Sequence, residues 1–136
     1  MLVASPDHPL VRKHRVKWED LVKYPLILQS EGSTGRIAIL QHFAERGLNP
    51  VIGAEVDNIE CAKELARQKK GVALMFLPHV KEELAKGRLT IIPVTDGEIK
   101  RGIDIVRNRE MAVSPVLDAF LAVVEGHFDH VLARTA

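Results

Sequence analysis

A single cysteine, Cys61, leaves the chain unable to form an internal disulfide, and there is no cysteine pair to ligate a structural zinc. Aromatic residues make up only 4%, too few for a platform that stacks nucleic-acid bases. An excess of one charge is also lacking. Lys and Arg number 19 against 18 Asp and Glu, a formal net charge of +1, whereas a nucleic-acid footprint needs clustered cations. Apolar runs are short, Val72–Leu77 being representative, and a membrane span requires roughly 20 residues. No basic segment followed by an apolar stretch opens the sequence, so no signal peptide is expected. What is present is 136 residues, 46% apolar and 27% charged, enough apolar material for a packed core. The length suits one domain, or one small domain with part of another. The expectation is a soluble, cytoplasmic globular protein with no membrane partner.

Short apolar runs alternate with helical periodicity. Strands are predicted at Leu2–Ala4, Pro25–Gln29, Val51–Val56, Val72–Phe76, Leu89–Ile92 and Gly102–Val106. Most are apolar on successive residues, as in strands of a parallel sheet covered on both faces. One helix is predicted over 36–46, with Ile37, Leu40, Phe43 and Ala44 on its apolar stripe and Gly47 as its stop. A second spans 59–69 with Ile59, Ala62, Leu65 and Ala66. The last opens at Ser114-Pro115, a cap followed by proline at the first helical position, and carries Leu117, Phe120, Leu121, Val124, Phe128 and Val131. Alternation of this kind predicts an α/β fold. Ser5–Val16, followed by the short amphipathic Trp18–Val22, and Pro93–Lys100 read as connectors. They bracket residues 17–92 as a compact domain of its own.

The most informative stretch is Leu26-Ile-Leu-Gln-Ser-Glu-Gly-Ser-Thr-Gly-Arg36, an apolar strand feeding a Gly/Ser/Thr turn that opens a helix. Ser33 or Thr34 can cap that helix, and its first N–H groups then point past the strand's carboxyl end, a ready anion site. The same composition also suits an ordinary capped helix. A second helix start strengthens the case: Asn58 caps the helix beginning at Ile59. With parallel neighbouring strands, both N-termini open on one edge, where ligands of open α/β sheets bind. Phe76-Leu77-Pro78 reaches the same edge as an apolar wall.

Four elements occur in order: Ser5-Pro-Asp-His-Pro-Leu10, the Gly32-Ser33-x-x-Arg36 turn, the Gly71-Val-Ala-Leu-Met-Phe-Leu-Pro78 strand, and Ser114-Pro115 followed by Ala119-Phe120-Leu121. Together they resemble the effector-binding domain of LysR-type transcriptional regulators, over nearly the whole chain. The resemblance implies a periplasmic-binding-protein type II-like fold: two α/β subdomains hinged by two crossovers, with a small effector in the cleft and DNA bound by a separate N-terminal winged helix-turn-helix. It places residues 1–16 at the end of the first subdomain and its crossover, 17–92 as a complete second subdomain, and 93–136 as the return crossover, strand and terminal helix of the first. The chain then holds one complete α/β subdomain plus an incomplete second one, with the DNA-binding domain absent. The near-zero net charge fits that absence. Two departures stand out. Lys69 occupies a position where the family usually has glycine, and a different turn is expected there. Thr34-Gly35 replaces the commoner Gly-Thr order.

Enzyme readings fare less well. Of the histidines, only His127 and His130 are closely spaced, without a clear third metal ligand. Cys61 reads as a small core residue rather than a nucleophile. No Gly-x-Ser-x-Gly elbow, Walker loop or dinucleotide fingerprint is present. Glu82-Glu83 reads as a solvated helix face, Arg67–Lys70 as soluble surface, and Trp18 as the anchor of the crossover helix.

The reading that results is an effector-sensing fragment that binds a small organic or inorganic anion and needs no cofactor or metal. Its expected ligand-binding residues are Ser30, Ser33, Thr34, Gly35 and Arg36 at the first helix start, Asn58 and Ile59 at the second, and Phe76 and Pro78 on the apolar wall. Self-association, as a homo-oligomer or domain-swapped dimer, is expected from the exposed sheet edge. The alternatives are a stand-alone solute-binding domain and an enzyme domain of the same fold.

Overall fold

The computed structural model describes residues 1–97 and 114–133, the last with side chains to position 127. The chain divides into two compact units, Met1–Gly102 and Ile103–Ala136. The first holds strands β1 (Leu2–Ala4), β2 (Leu26–Leu28), β3 (Ile52–Glu55), β4 (Val72–Leu74) and β5 (Thr90–Ile91). Its helices are α1 (Trp18–Leu21), α2 (Thr34–Ala44), α3 (Ile59–Arg67) and α4 (Leu77–Ala85), with a 3-10 turn at Pro9–Arg12. In the second unit, α5 covers Pro115–Ala133. Asp118 N–H donates to the Ser114 carbonyl, so Ser114 holds the cap position expected of it. Leu117, Leu121 and Val124 are half-buried along this helix, while Phe120 is exposed despite its place on the predicted stripe.

The five strands form one sheet in the order β3-β2-β4-β1-β5. β2 runs parallel to β3 and to β4, but β1 is antiparallel to both of its neighbours. The expected all-parallel sheet is therefore mixed. Leu2–Ala4, grouped by sequence with a preceding subdomain, is an interior strand of this sheet. The predicted strand Gly102–Val106 lies outside the described residues.

Successive strand residues alternate between two cores, as the pleat requires. Leu2, Ala4, Leu26, Leu28 and Val72 point to the face covered by Trp18, Leu21, Ile39 and Phe43. Val3, Ile27 and Ala73 point to the other, with Ala62, Ala66, Val80 and Leu89. Helices α1 and α2 thus cover one face and α3 and α4 the other, which is why the interior strands read as continuous apolar runs. The two edge strands break this pattern: β3 is mostly exposed, and neither residue of β5 is buried.

Local register corrects several expectations. On α2 the buried positions are Gly35, Arg36, Ile39 and Phe43, while Ile37 and Ala44 face solvent. Cys61 is exposed on α3, one residue short of the buried Ala62. Glu83 is buried on α4, between Lys63 at 3.4 Å and Arg88 at 3.4 Å, and only Glu82 is solvated. Lys69 has φ +63° and keeps the glycine-type turn instead of a different one. Its N–H donates to Ala66 O at 3.1 Å and that of Lys70 to Leu65 O at 3.0 Å, the paired bonds of a Schellman ending.

One glycine is demanded by close approach. A Cβ on Gly71 would fall on the Pro25 carbonyl, whose oxygen accepts the Val72 N–H at 2.9 Å. A side chain there would push β4 off β2.

Candidate functional site

Each of the parallel strands β2, β3 and β4 leads into the helix that follows it, so α2, α3 and α4 all begin at the sheet's carboxyl edge. Between their first turns lies a cavity lined by Gln29 and Gly35, by Val56, Asn58 and Ile59, and by Leu74, Met75, Phe76 and His79, over a floor of Ile27, Leu28 and Ala62. Of the residues expected at the site, the structure brings Gly35, Asn58, Ile59 and Phe76 to its wall. Ser33 stands just behind it, hydrogen-bonded to Gln29. Ser30 is half-buried, its carbonyl accepting the Ser33 N–H at 3.3 Å. Thr34 and Pro78 are exposed in the first turns of α2 and α4, off the cavity wall. The reasoning from sequence missed Gln29, Met75, Val56 and His79. Gln29 and Val56 end their strands and could have been found by extending the same edge argument.

The two helix starts expected to converge differ in chemistry. Asn58 caps α3, its Oδ1 accepting from Glu60 N–H at 2.8 Å and Cys61 N–H at 3.2 Å. Those donors are spent, and Asn58 has its amide N–H groups left to offer a ligand. Ser33 holds the cap position of α2 without a side-chain cap bond, because its hydroxyl donates to Gln29 Oε1 at 2.6 Å. The first-turn N–H groups of a helix have no intrahelical partner, so those of α2 are left for a ligand, with the helix dipole behind them.

Arg36 does not bring a free charge to the cavity. Its guanidinium is buried and tied to the Gln29 carbonyl at 3.1 Å and to Glu55 at 2.7 Å. The residue fastens α2 to the ends of β2 and β3 and fixes where the helix start sits.

The cavity volume is about 20 Å³, room for roughly one water molecule. A second, wider depression of about 420 Å³ shares Phe76 and is walled by Leu2, Trp18, Ile91, Ile92 and Val94. Among the described residues no group of His, Cys, Asp and Glu is placed to hold a metal ion, and no helix is long and apolar enough to cross a membrane.

Comparison with known proteins bears on the family and the fold. The LysR substrate binding domain family matches residues 1–129. The transcriptional activator CmpR of Synechocystis is 27% identical over 127 residues, covering 93% of this chain and 42% of CmpR. The regulator CbbR of Xanthobacter flavus is 32% identical over 127 residues, covering 92% of this chain and 38% of CbbR. The chain thus spans about two fifths of these relatives. Among solved structures, the effector-binding domain of QuiR in complex with shikimate superposes with a TM-score of 0.75 at 24% identity, over 89% of this chain and 56% of that one. The regulatory domain of Synechocystis CcmR in complex with 2-PG gives 0.75 at 22% identity, over 90% and 59%. The mixed α/β architecture is of the periplasmic-binding-protein type II kind. These relatives are regulators rather than enzymes, and the chain belongs to the LysR substrate-binding domain family.

Proposed function

We propose that the chain is the effector-sensing part of a LysR-type transcriptional regulator and binds a small metabolite by an anionic group at the carboxyl edge of the sheet. The observation that carries this reading is the unspent helix start. Ser33 turns to Gln29 and leaves the first-turn donors of α2 facing a cavity that Asn58 and Phe76 also line. The ligands seen in QuiR and CcmR, shikimate and 2-phosphoglycolate, are small acids, which supports an anion here. Because the cavity alone is so small, the opposing wall belongs to the other subdomain of the family's fold. Closing of the two subdomains on the effector would shift the hinge and reach DNA through a helix-turn-helix domain outside this chain. The protein acts in the cytoplasm as a homo-oligomer.

The test is isothermal calorimetry of the chain with shikimate, 2-phosphoglycolate and sulfate. Asn58→Asp keeps the capping oxygen and places a negative charge at the cavity, so it should weaken binding about tenfold. Retained affinity in this variant, or no heat with any of the three acids, would overturn the assignment.

A further inference from the structure

We propose that the strip of cations along the first connector, continued by Lys69 and Lys70, is a contact surface for the phosphate backbone of DNA, additional to the helix-turn-helix domain outside this chain. The inference takes from the proposed function only that the protein works at DNA. It concerns a face that shares no residue with the effector cavity.

The net charge of +1 conceals a local excess. Ahead of α1 the chain reads Arg12-Lys13-His14-Arg15-Val16-Lys17, and every residue of that run except Val16 is exposed. Val16 is buried and tied to the second connector, its N–H donating to Pro93 O at 3.2 Å. Arg15 and Lys17, on either side of it, therefore both project outward, as alternation along an extended chain requires. Arg12, Arg15 and Lys17 enter no ion pair among the described residues. No exposed large apolar side chain accompanies the run. Bare cations without an apolar anchor suit phosphate oxygens better than a protein interface, whose core is apolar.

The turn before β4 extends the strip. Lys69 Nζ pairs with Asp7 at 2.9 Å, and Lys70 is exposed beside it. The Asp7 carboxyl is held below its usual range by the Lys69 hydrogen bond and charge, and then by the charge of Arg12. Lys13 pairs with Asp20 at 2.6 Å, and Lys23, just past α1, acts on the same carboxylate. Each of these two acids is thus set between two cations, and the charge left over is positive. Lys69 adds a second, independent observation. It holds φ +63°, where glycine would fit without strain, and backbone strain of this kind gathers at functional positions. None of these cations lines either cavity.

The experiment is fluorescence anisotropy of a labelled DNA duplex of mixed sequence with the whole chain, between about 20 and 150 mM sodium chloride. Affinity should fall with salt at a log–log slope of about −3 to −4, as for four phosphate contacts. Arg15→Glu with Lys17→Glu should lower affinity at least about tenfold and flatten the slope by about 2. Lys81→Glu with Lys86→Glu, on exposed positions of α4, makes the same change in net charge and should have a much smaller effect. Lys69→Gly should weaken binding about twofold or more without loss of thermal stability, which separates charge from folding. If the Arg15/Lys17 variant binds as well as the α4 variant, or if Lys69→Gly keeps full affinity, the strip is not the contact and the inference is overturned. If poly-glutamate binds these residues at 150 mM salt where the duplex does not, the partner is an acidic protein segment and DNA is overturned. Calorimetry with the small acids should be unchanged in all of these variants. A chain that binds the acids but not the duplex loses only this inference, and one that binds the duplex but not the acids loses only the effector reading.

Discussion

The hydroxyl of Ser33 donates to Oε1 of Gln29 at 2.6 Å, across the turn that opens α2, and makes no bond to the helix it precedes. The side chain best placed to satisfy the helix start is instead turned back to the end of β2. Asn58, at the corresponding place before α3, does cap its helix, through two N–H groups. This contrast sets the first prediction. Asn58→Ala should cost about 1–2 kcal/mol of stability, as the loss of a true cap does. Ser33→Ala loses one side-chain hydrogen bond and should cost about 1 kcal/mol or less. Urea unfolding of the two variants compares them directly, and equal losses would contradict the difference seen at the two caps.

Lys69 sits at φ +63°, a conformation that costs a side-chain-bearing residue about 1–2 kcal/mol. Its ammonium forms an exposed ion pair with Asp7. Lys69→Gly should raise stability by about 0.5–1 kcal/mol, the relief being offset in part by glycine's larger entropy when unfolded. Lys69→Ala keeps the strain and should bring no gain. A thermal unfolding series that ranks glycine above lysine and alanine would bear this out.

His8 is buried against Tyr24, ring centroids 4.8 Å apart, and its Nδ1 accepts the Leu10 N–H at 3.3 Å. Burial holds its pKa below the usual histidine value. The folded state therefore prefers the neutral ring, and the unfolded chain binds the proton more readily. Stability from this residue is full above about pH 6.5 and is lost as the pH falls below that toward the folded value. His8→Asn keeps an acceptor near the Leu10 N–H but cannot titrate, so it should flatten this part of the pH–stability curve.

Gly71 has no room for a methyl group, since a Cβ would meet the Pro25 carbonyl. Gly71→Ala should destabilise the fold by about 1–3 kcal/mol through separation of β4 from β2. Hydrogen exchange at Val72, whose N–H bonds Pro25, should quicken beyond the change at β1.

Much of this architecture was legible in the residues. Continuous apolar runs marked the strands, because helices cover both faces of the sheet. Asn58 marked a helix start, and Ser114-Pro115 another. What escaped depended on tertiary context. Helix α4 was read as wall because Pro78, which follows Leu77 at its start, can equally end a strand. Ile37 is exposed and Ile39 buried because the Arg36 side chain, tied to Glu55 and Gln29, turns a charged residue inward. Glu83 is buried because Lys63 and Arg88 meet it from elsewhere in the chain. At the candidate site, the strand-to-helix turns could be seen in advance, but the partner of the Ser33 hydroxyl could not. A cap and a side-chain bond back to Gln29 use the same residue types at the same spacing.

The antiparallel strand β1 has a consequence for how the sheet opens. β5 is joined to the sheet through β1 alone, and β1 meets β4 by way of Leu2 beside Leu74 and Val3 beside Ala73. The parallel trio β3-β2-β4 can assemble from neighbouring strand–helix units, whereas β1 must be recruited across most of the unit's length, a slow, non-local step. Since β5 pairs with β1, its ladder hydrogen bonds should be protected from exchange only while β1 is docked. Fluctuations that release β1 would free β5 and the edge of the wider depression together, while β2 keeps its own pairing with β3 and β4.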